Sequence, residues 1–245
     1  MKYYDHHKTG SAQTLVFIHG AMLNRSMWLP QIDALKETFD LLAIDLPGHG
    51  ALRHQAFTLP KAVLQVAEVI STETTGKVIT VGLSLGGYVA IAHAAKYPEQ
   101  VKGLVVSGSA VPLFGWLGFF LKLNSLFLKL INAKLFNYLQ AKILKRSLSD
   151  IFVDAIVKGG LSAKGGGESI SELIGVNFHS LLKQYPGPVL IINGENDKIN
   201  RRYETKLASA ARKGSIERIP KSGHLCNLEN PDAFSKAIQT FANKC

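Results

Sequence analysis

The segment Val78-Ile79-Thr80-Val81-Gly82-Leu83-Ser84-Leu85-Gly86-Gly87 runs from an apolar, β-branched stretch into Gly-x-Ser-x-Gly, and Tyr88 to Lys96 suits a helix. This is the pattern of a sharp strand-to-helix turn that lifts one serine hydroxyl out of a sheet. The serine sits in a strained turn whose neighbours pass close to other backbone, so Gly82 and Gly86 remove side chains that would clash there. A helix starting just after Ser84 points free N–H groups and a positive dipole end at the hydroxyl. Ser84 is thereby the candidate nucleophile, and the first expectation is a hydrolase.

A serine hydroxyl attacks only when a base takes its proton. His224, in Pro220-Lys221-Ser222-Gly223-His224, follows an apolar stretch and is the candidate base. Asp197, in Asn193-Gly194-Glu195-Asn196-Asp197, is the candidate acid that would hold the imidazole in one tautomer and stabilise its charged form. Glu195 competes for that role. Taken singly, a Gly-His in a loop is an ordinary surface histidine and an aspartate after a strand is an ordinary turn residue. Together they give the chain order Ser, Asp, His that this kind of turn expects. The oxyanion formed on attack needs preplaced donors. The Leu85 N–H is one, and the second comes from His19-Gly20-Ala21-Met22, with Ala21 preferred and Met22 next. His19 reads as a brace for that loop, and His93 as packing.

These residues need elements to carry them. Strands are expected at Thr14–His19, Asp40–Asp45, Lys77–Leu83, Val101–Ser107, Pro188–Asn193 and Ser215–Ile219. Helices are expected near Met27–Glu37, at Leu59–Thr72 and Gly86–Lys96, near Arg201–Ala211 and at Pro231–Ala242. Continuous apolar strands alternating with helices predict an α/β fold, a mostly parallel sheet flanked by helices on both faces. Such a sheet gathers its site at the carboxyl ends of the strands, where Ser84, Asp197 and His224 all fall.

The 245 residues suit one domain with an insertion, and an apolar content of 47% supports a sizeable core. The formal charge of +10 comes with no zinc-finger spacing and no RNA-binding signature, so no nucleic acid is expected as partner. His6-His7 alone gives no metal site. Two cysteines, Cys226 and Cys245, give no disulfide framework, and the start of the chain has no apolar leader. A cytoplasmic protein is the expectation. No uncharged apolar run reaches the ~18 residues of a membrane span.

Five pieces carry a resemblance: Phe17-Ile18-His19-Gly20, Asp45-Leu46-Pro47-Gly48-His49-Gly50, Gly82-Leu83-Ser84-Leu85-Gly86-Gly87, Gly194-Glu195-Asn196-Asp197 and Gly223-His224. The chain resembles α/β-hydrolase fold proteins of the esterase type, through nearly its whole length outside the insertion. The resemblance implies hydrolysis through an acyl-enzyme on Ser84, with no cofactor and no metal. It implies Asp197, His224 and the Ala21 and Leu85 amides in the roles just given. A serine at the turn speaks against the dehalogenase branch, which uses aspartate. The short stretch before Thr14 departs from the usual leading hairpin.

The expected organisation is a core from residues 1–110, a helical cap over 111–184 and the rest of the core over 185–245. Within the cap, 159–167 is glycine-rich and is expected to be a flexible loop. Between Val111 and Ser149 stand Lys122, Lys129, Lys134, Lys142, Lys145 and Arg146 and no acidic residue. Phe119, Phe120, Leu123, Leu126, Phe127, Leu130 and Ile131 follow helical spacing, with Lys122, Ser125, Lys129 and Asn132 on the opposite stripe. The apolar stripe is expected to pack mostly on the core and partly to roof the pocket, and the cationic face is a candidate for weak contact with anionic lipid. Met22, Trp28, Phe114, Trp116 and Leu225 are candidate substrate contacts. The partner expected is a small hydrophobic ester. A thioesterase, a lipase or a carbon–carbon bond hydrolase could use the same residues, and a ligand-binding protein without catalysis is the alternative of another class.

Overall fold

A computed structural model describes residues 2–146 and 148–245. Among these, strands β1 (Tyr4–His7), β2 (Thr14–Ile18), β3 (Asp40–Ile44), β4 (Val78–Leu83), β5 (Val101–Ser107), β6 (Pro188–Gly194) and β7 (Lys213–Ile219) form one sheet. Its order is β1-β3-β2-β4-β5-β6-β7. Only β1 runs antiparallel, paired with β3 from Tyr4–Ile44 to His7–Leu41. The other neighbours are parallel. β1 was not foreseen, because Tyr-Asp-His-His offers no apolar run.

Alternation along the strands splits the core into two layers. In β2, Val16 and Ile18 face one side and Leu15 and Phe17 the other; in β3, Leu42 and Ile44 oppose Leu41 and Ala43. The first layer is covered by α2 (Leu59–Glu73), α3 (Leu85–Lys96), α8 (Phe178–Leu182) and α9 (Lys198–Ala210). The second is covered by α1 (Leu29–Leu35), α10 (Cys226–Glu229) and α11 (Pro231–Ala242).

Between β5 and β6 come α4 (Gly115–Leu130), α5 (Ala133–Leu144), α6 (Asp150–Gly159), α7 (Ala163–Leu173) and then α8. The glycine-rich stretch is not the expected loop. Gly165, Gly166 and Gly167 lie buried inside α7, whose N-cap Ser162 accepts from the Gly165 N–H at 3.0 Å. Each glycine costs helix propensity, about 1 kcal/mol relative to alanine. Close contact explains them. Gly165 meets the Gly48 carbonyl, Gly166 meets the Met22 side chain, and a Cβ on Gly167 would lie 2.6 Å from the Ser125 carbonyl oxygen.

That approach sets the orientation of α4, which also departs from expectation. Gly118, Ser125 and Leu128 are buried, and Ser125 Oγ donates to the Gly167 carbonyl at 2.8 Å. Lys129 Nζ reaches Ser171 Oγ at 2.9 Å. The small and polar stripe therefore faces α7, since only short side chains fit between backbones so close. The apolar stripe faces solvent, with Trp116 82% and Leu130 84% exposed. Among the described residues no helix is long and apolar enough to cross a membrane.

Candidate active site

Ser84 sits in the turn from β4 to α3 with φ 54° and ψ −116°, a conformation non-glycine residues avoid. Its surroundings hold it there. The Ser84 N–H donates to the Ser107 carbonyl at 2.8 Å, and the Ser84 carbonyl accepts from Ser109 Oγ at 2.7 Å and from the Gly87 N–H at 3.0 Å. A side chain on Gly82 would overlap the Gly86 backbone, and one on Gly86 would overlap the Ile18 carbonyl. Leu85 opens α3, so its N–H has no acceptor within the helix.

Asp197 follows β6 and caps α9, and His224 follows β7. Parallel pairing brings both to the strand edge that carries Ser84. His224 Nδ1 donates to Asp197 Oδ2 at 2.9 Å, which leaves Nε2 with its lone pair. Burial works against the Asp197 carboxylate. Hydrogen bonds from His224 and from the backbone and side chain of Asn200 outweigh it and hold the carboxyl below its usual value. The imidazole lies against Gly108, where φ is +60° and an added Cβ would come within 2.8 Å of Cε1. Glu195 turns elsewhere, accepting from the Lys221 N–H at 3.1 Å.

These groups share a cavity of about 390 Å³ whose wall includes Ser84, Asp197, His224, Ala21 and Leu85. Val111, Leu113, Leu117, Leu121, Ile170 and Leu173 make the rest mostly apolar, several of them from α4 and α7. Met22 lines it as well. A Cβ on Gly20 would lie 3.7 Å from Ser84 Cβ, so the loop after β2 passes beside the Ser84 side chain. Met22 has φ 67°, its carbonyl accepts from the Ser162 N–H at 3.0 Å, and its side chain rests on Gly166. His19 fixes the loop from below. Its Nδ1 donates to the Gly20 carbonyl at 2.8 Å and its Nε2 accepts from the Leu46 N–H at 3.0 Å. Burial lowers it to about 4, so the ring stays neutral.

Four residues expected to touch substrate lie away from this cavity. Trp28 is fully buried in the second core layer, its ring 5.0 Å from that of Phe17 and 6.1 Å from that of Phe234. Leu225 packs at the edge of the same layer. Trp116 stands on the outward stripe of α4. Phe114 borders a separate groove with Pro112 and His179. Trp116 shares α4 with Leu117 and Leu121, which do line the cavity, but it projects from the opposite, solvent side of that helix.

Asn200 went unnoticed in the sequence. Its backbone N–H and Nδ2 donate to Asp197 at 3.1 and 2.8 Å, and its Oδ1 accepts from the Ala110 N–H at 2.9 Å. The signal was Asp197-x-x-Asn200, the spacing of an N-cap with a polar residue three positions on. Among the described residues no group of three or more His, Cys, Asp and Glu side chains could hold a metal ion. A serine, an imidazole and a carboxylate on one cavity wall, which Ala21 and Leu85 share, can carry acyl transfer.

Residues 15–237 match the family model described as "Alpha/beta hydrolase family". The pimeloyl-[acyl-carrier protein] methyl ester esterase of Wigglesworthia glossinidia brevipalpis is 29% identical over 94% of this chain and 93% of its own length. The protein of the same name from Nitrosomonas europaea is 39% identical, over 41% of this chain and 39% of its own length. Among solved structures, MenH from S. aureus superposes with a TM-score of 0.84 at 18% identity, over 100% of this chain and 99% of that one.

Proposed function

The chain belongs to the α/β-hydrolase family, and from that premise we propose that it cleaves a carboxylic ester with a hydrophobic acyl or alcohol part through an acyl-enzyme on Ser84. The observation that carries the reading is the single apolar cavity wall shared by Ser84, His224 and Asp197. Ser84 Oγ attacks the ester carbonyl while His224 Nε2 takes its proton. The Ala21 and Leu85 N–H groups receive the oxyanion, and Asp197 stabilises the imidazolium. His224 then gives the proton to the leaving alcohol. Water, activated by the same imidazole, releases the acid and restores Ser84. The helices between β5 and β6 act as a cap, supplying the apolar walls that hold the chain of the substrate.

The names of the relatives make a methyl ester at the end of an acyl chain on a carrier protein the first natural substrate class to try. Both cysteines carry free thiols, which fits residence in the cytoplasm.

A fluorophosphonate probe tests the chemistry. One equivalent should attach to Ser84, and Ser84→Ala, of unchanged melting temperature, should take up none and hydrolyse no p-nitrophenyl ester. Labelling elsewhere, or an unchanged rate in the variant, overturns the proposal. A panel of esters and thioesters of increasing acyl length then ranks the substrates by kcat/KM.

A further inference from the structure

Helix α4 is turned inside out relative to an ordinary surface helix. Trp116, Phe119, Phe120, Leu123, Phe127 and Leu130 all stand in solvent. At ~100° per residue they fall within about 100° of arc, an unbroken apolar stripe along the helix. The inward face is the one made of Gly118 and Ser125. Helix α5 continues the pattern with exposed Leu135, Tyr138, Leu139 and Ile143. An apolar area this continuous marks a surface that something covers.

The charges around it say what. Residues 111–149 carry six cations and no carboxylate. Lys122 and Lys129 lie on the side of α4 away from the stripe, while Lys134, Lys142, Lys145 and Arg146 are exposed on and after α5. Lys145 pairs with Asp150, and Lys129 holds Ser171. We propose that α4 and α5 dock on a lipid bilayer bearing anionic headgroups, with the α4 stripe sunk at the headgroup boundary and the cations on and after α5 against phosphates. The helix lies in the surface and does not span it, since its 16 residues reach about 24 Å against a hydrocarbon core of ~30 Å. Pairing of this face with its own copy would set like charges together. A protein partner would seek about one hydrogen bond per 100–200 Å², and the only polar group on the α4 stripe is the Trp116 indole N–H. Indole and phenol rings such as Trp116 and Tyr138 favour the bilayer interface. Leu117 and Leu121, on the flank of α4, line the cavity of Ser84, so the docked surface borders that cavity.

Vesicle flotation tests this independently of hydrolysis. The full chain should rise with phosphatidylcholine vesicles containing phosphatidylglycerol and stay behind with phosphatidylcholine alone. Lys134→Gln and Lys142→Gln should each weaken binding about fivefold, and Phe120→Ser/Phe127→Ser should abolish it at an unchanged melting temperature. Trp116 fluorescence should shift to the blue and be quenched by brominated lipid, with buried Trp28 as constant background. Ser84→Ala must bind like the parent, so a failed chemistry and a failed docking are told apart. No flotation, equal flotation with neutral vesicles, an unquenched Trp116, or a lipid-free dimer dissolved by Phe127→Ser each overturns the proposal.

Discussion

Asn200 donates to both carboxylate oxygens of Asp197, and its amide nitrogen stands 3.4 Å from the His224 nitrogen that the same carboxylate holds. The carboxylate is thus fixed from the helix side before it fixes the imidazole. Asn200 acts through Asp197 and is a positioning residue. Hydrogen bonds to a charged group contribute about 1.5–3 kcal/mol, so Asn200→Ala should lower kcat about ten- to a hundredfold. KM should hardly move. Steady-state kinetics on a p-nitrophenyl ester checks this, and a KM increase at constant kcat would assign Asn200 to substrate binding instead.

Gly108 leaves room for the His224 ring at a backbone angle other residues resist. Gly108→Ala should push the ring aside and cost about a hundredfold in kcat, the size of effect that a misplacement of ~1 Å produces. The positive φ should add a stability loss of about 1–2 kcal/mol. Fluorophosphonate labelling rates and thermal melts separate the two effects, and labelling at the parent rate would contradict the ring contact.

Two opposing effects meet at Gly167. Alanine in a helix gains about 1 kcal/mol over glycine, but here its Cβ would press on the backbone carbonyl of Ser125. Overpacking costs about 1–3 kcal/mol, so Gly167→Ala should be destabilising on balance. Gly76 has nothing within 4 Å of an added Cβ, and Gly76→Ala should be neutral or slightly stabilising. Urea unfolding of the pair measures the difference; a more stable Gly167→Ala would mean that α4 yields easily.

His19 and His49 lie buried with ring centroids 5.1 Å apart. Burial lowers His19 to about 4 and, with His19 adding to it, His49 to about 3. Arg25 also disfavours charge on His19, while the Pro47 carbonyl, Asp45 and Glu168 favour it on His49. In the unfolded chain both titrate near ~6.5. Below that value the unfolded chain takes up protons that the folded one refuses. Stability is therefore full above pH ~6.5 and falls as the pH drops towards 4, by about 2 kcal/mol per histidine at pH 5. Urea titrations at pH 7.5 and 5 read the loss, and His49→Asn should remove about half of it. An equal midpoint at both pH values would show that neither ring resists protonation.

The parallel sheet and the positions of Ser84, Asp197 and His224 on its edge were legible because apolar strands and turn residues are local signals. Strand β1 was not, since Tyr4–His7 gains its pairing only from β3. The insertion departs from expectation twice for one reason. Glycine in sequence suggests freedom, and a stripe of phenylalanines suggests a core. Between α4 and α7, however, closeness of backbones decided both, and that is a tertiary fact. Aromatic size says nothing about which sheet face receives Trp28, so the sequence does not separate a pocket residue from a core one there.

The glycines of α7 touch Gly48, Met22 and Ser125, three segments far apart in sequence. The inserted helices are thus no interchangeable module. A segment of a relative put in place of residues 111–184 would have to fit against Met22 and Gly48, or leave the loop beside Ser84 without its support. Met22 and Gly166 are thus coupled, since any side chain added at 166 presses on Met22.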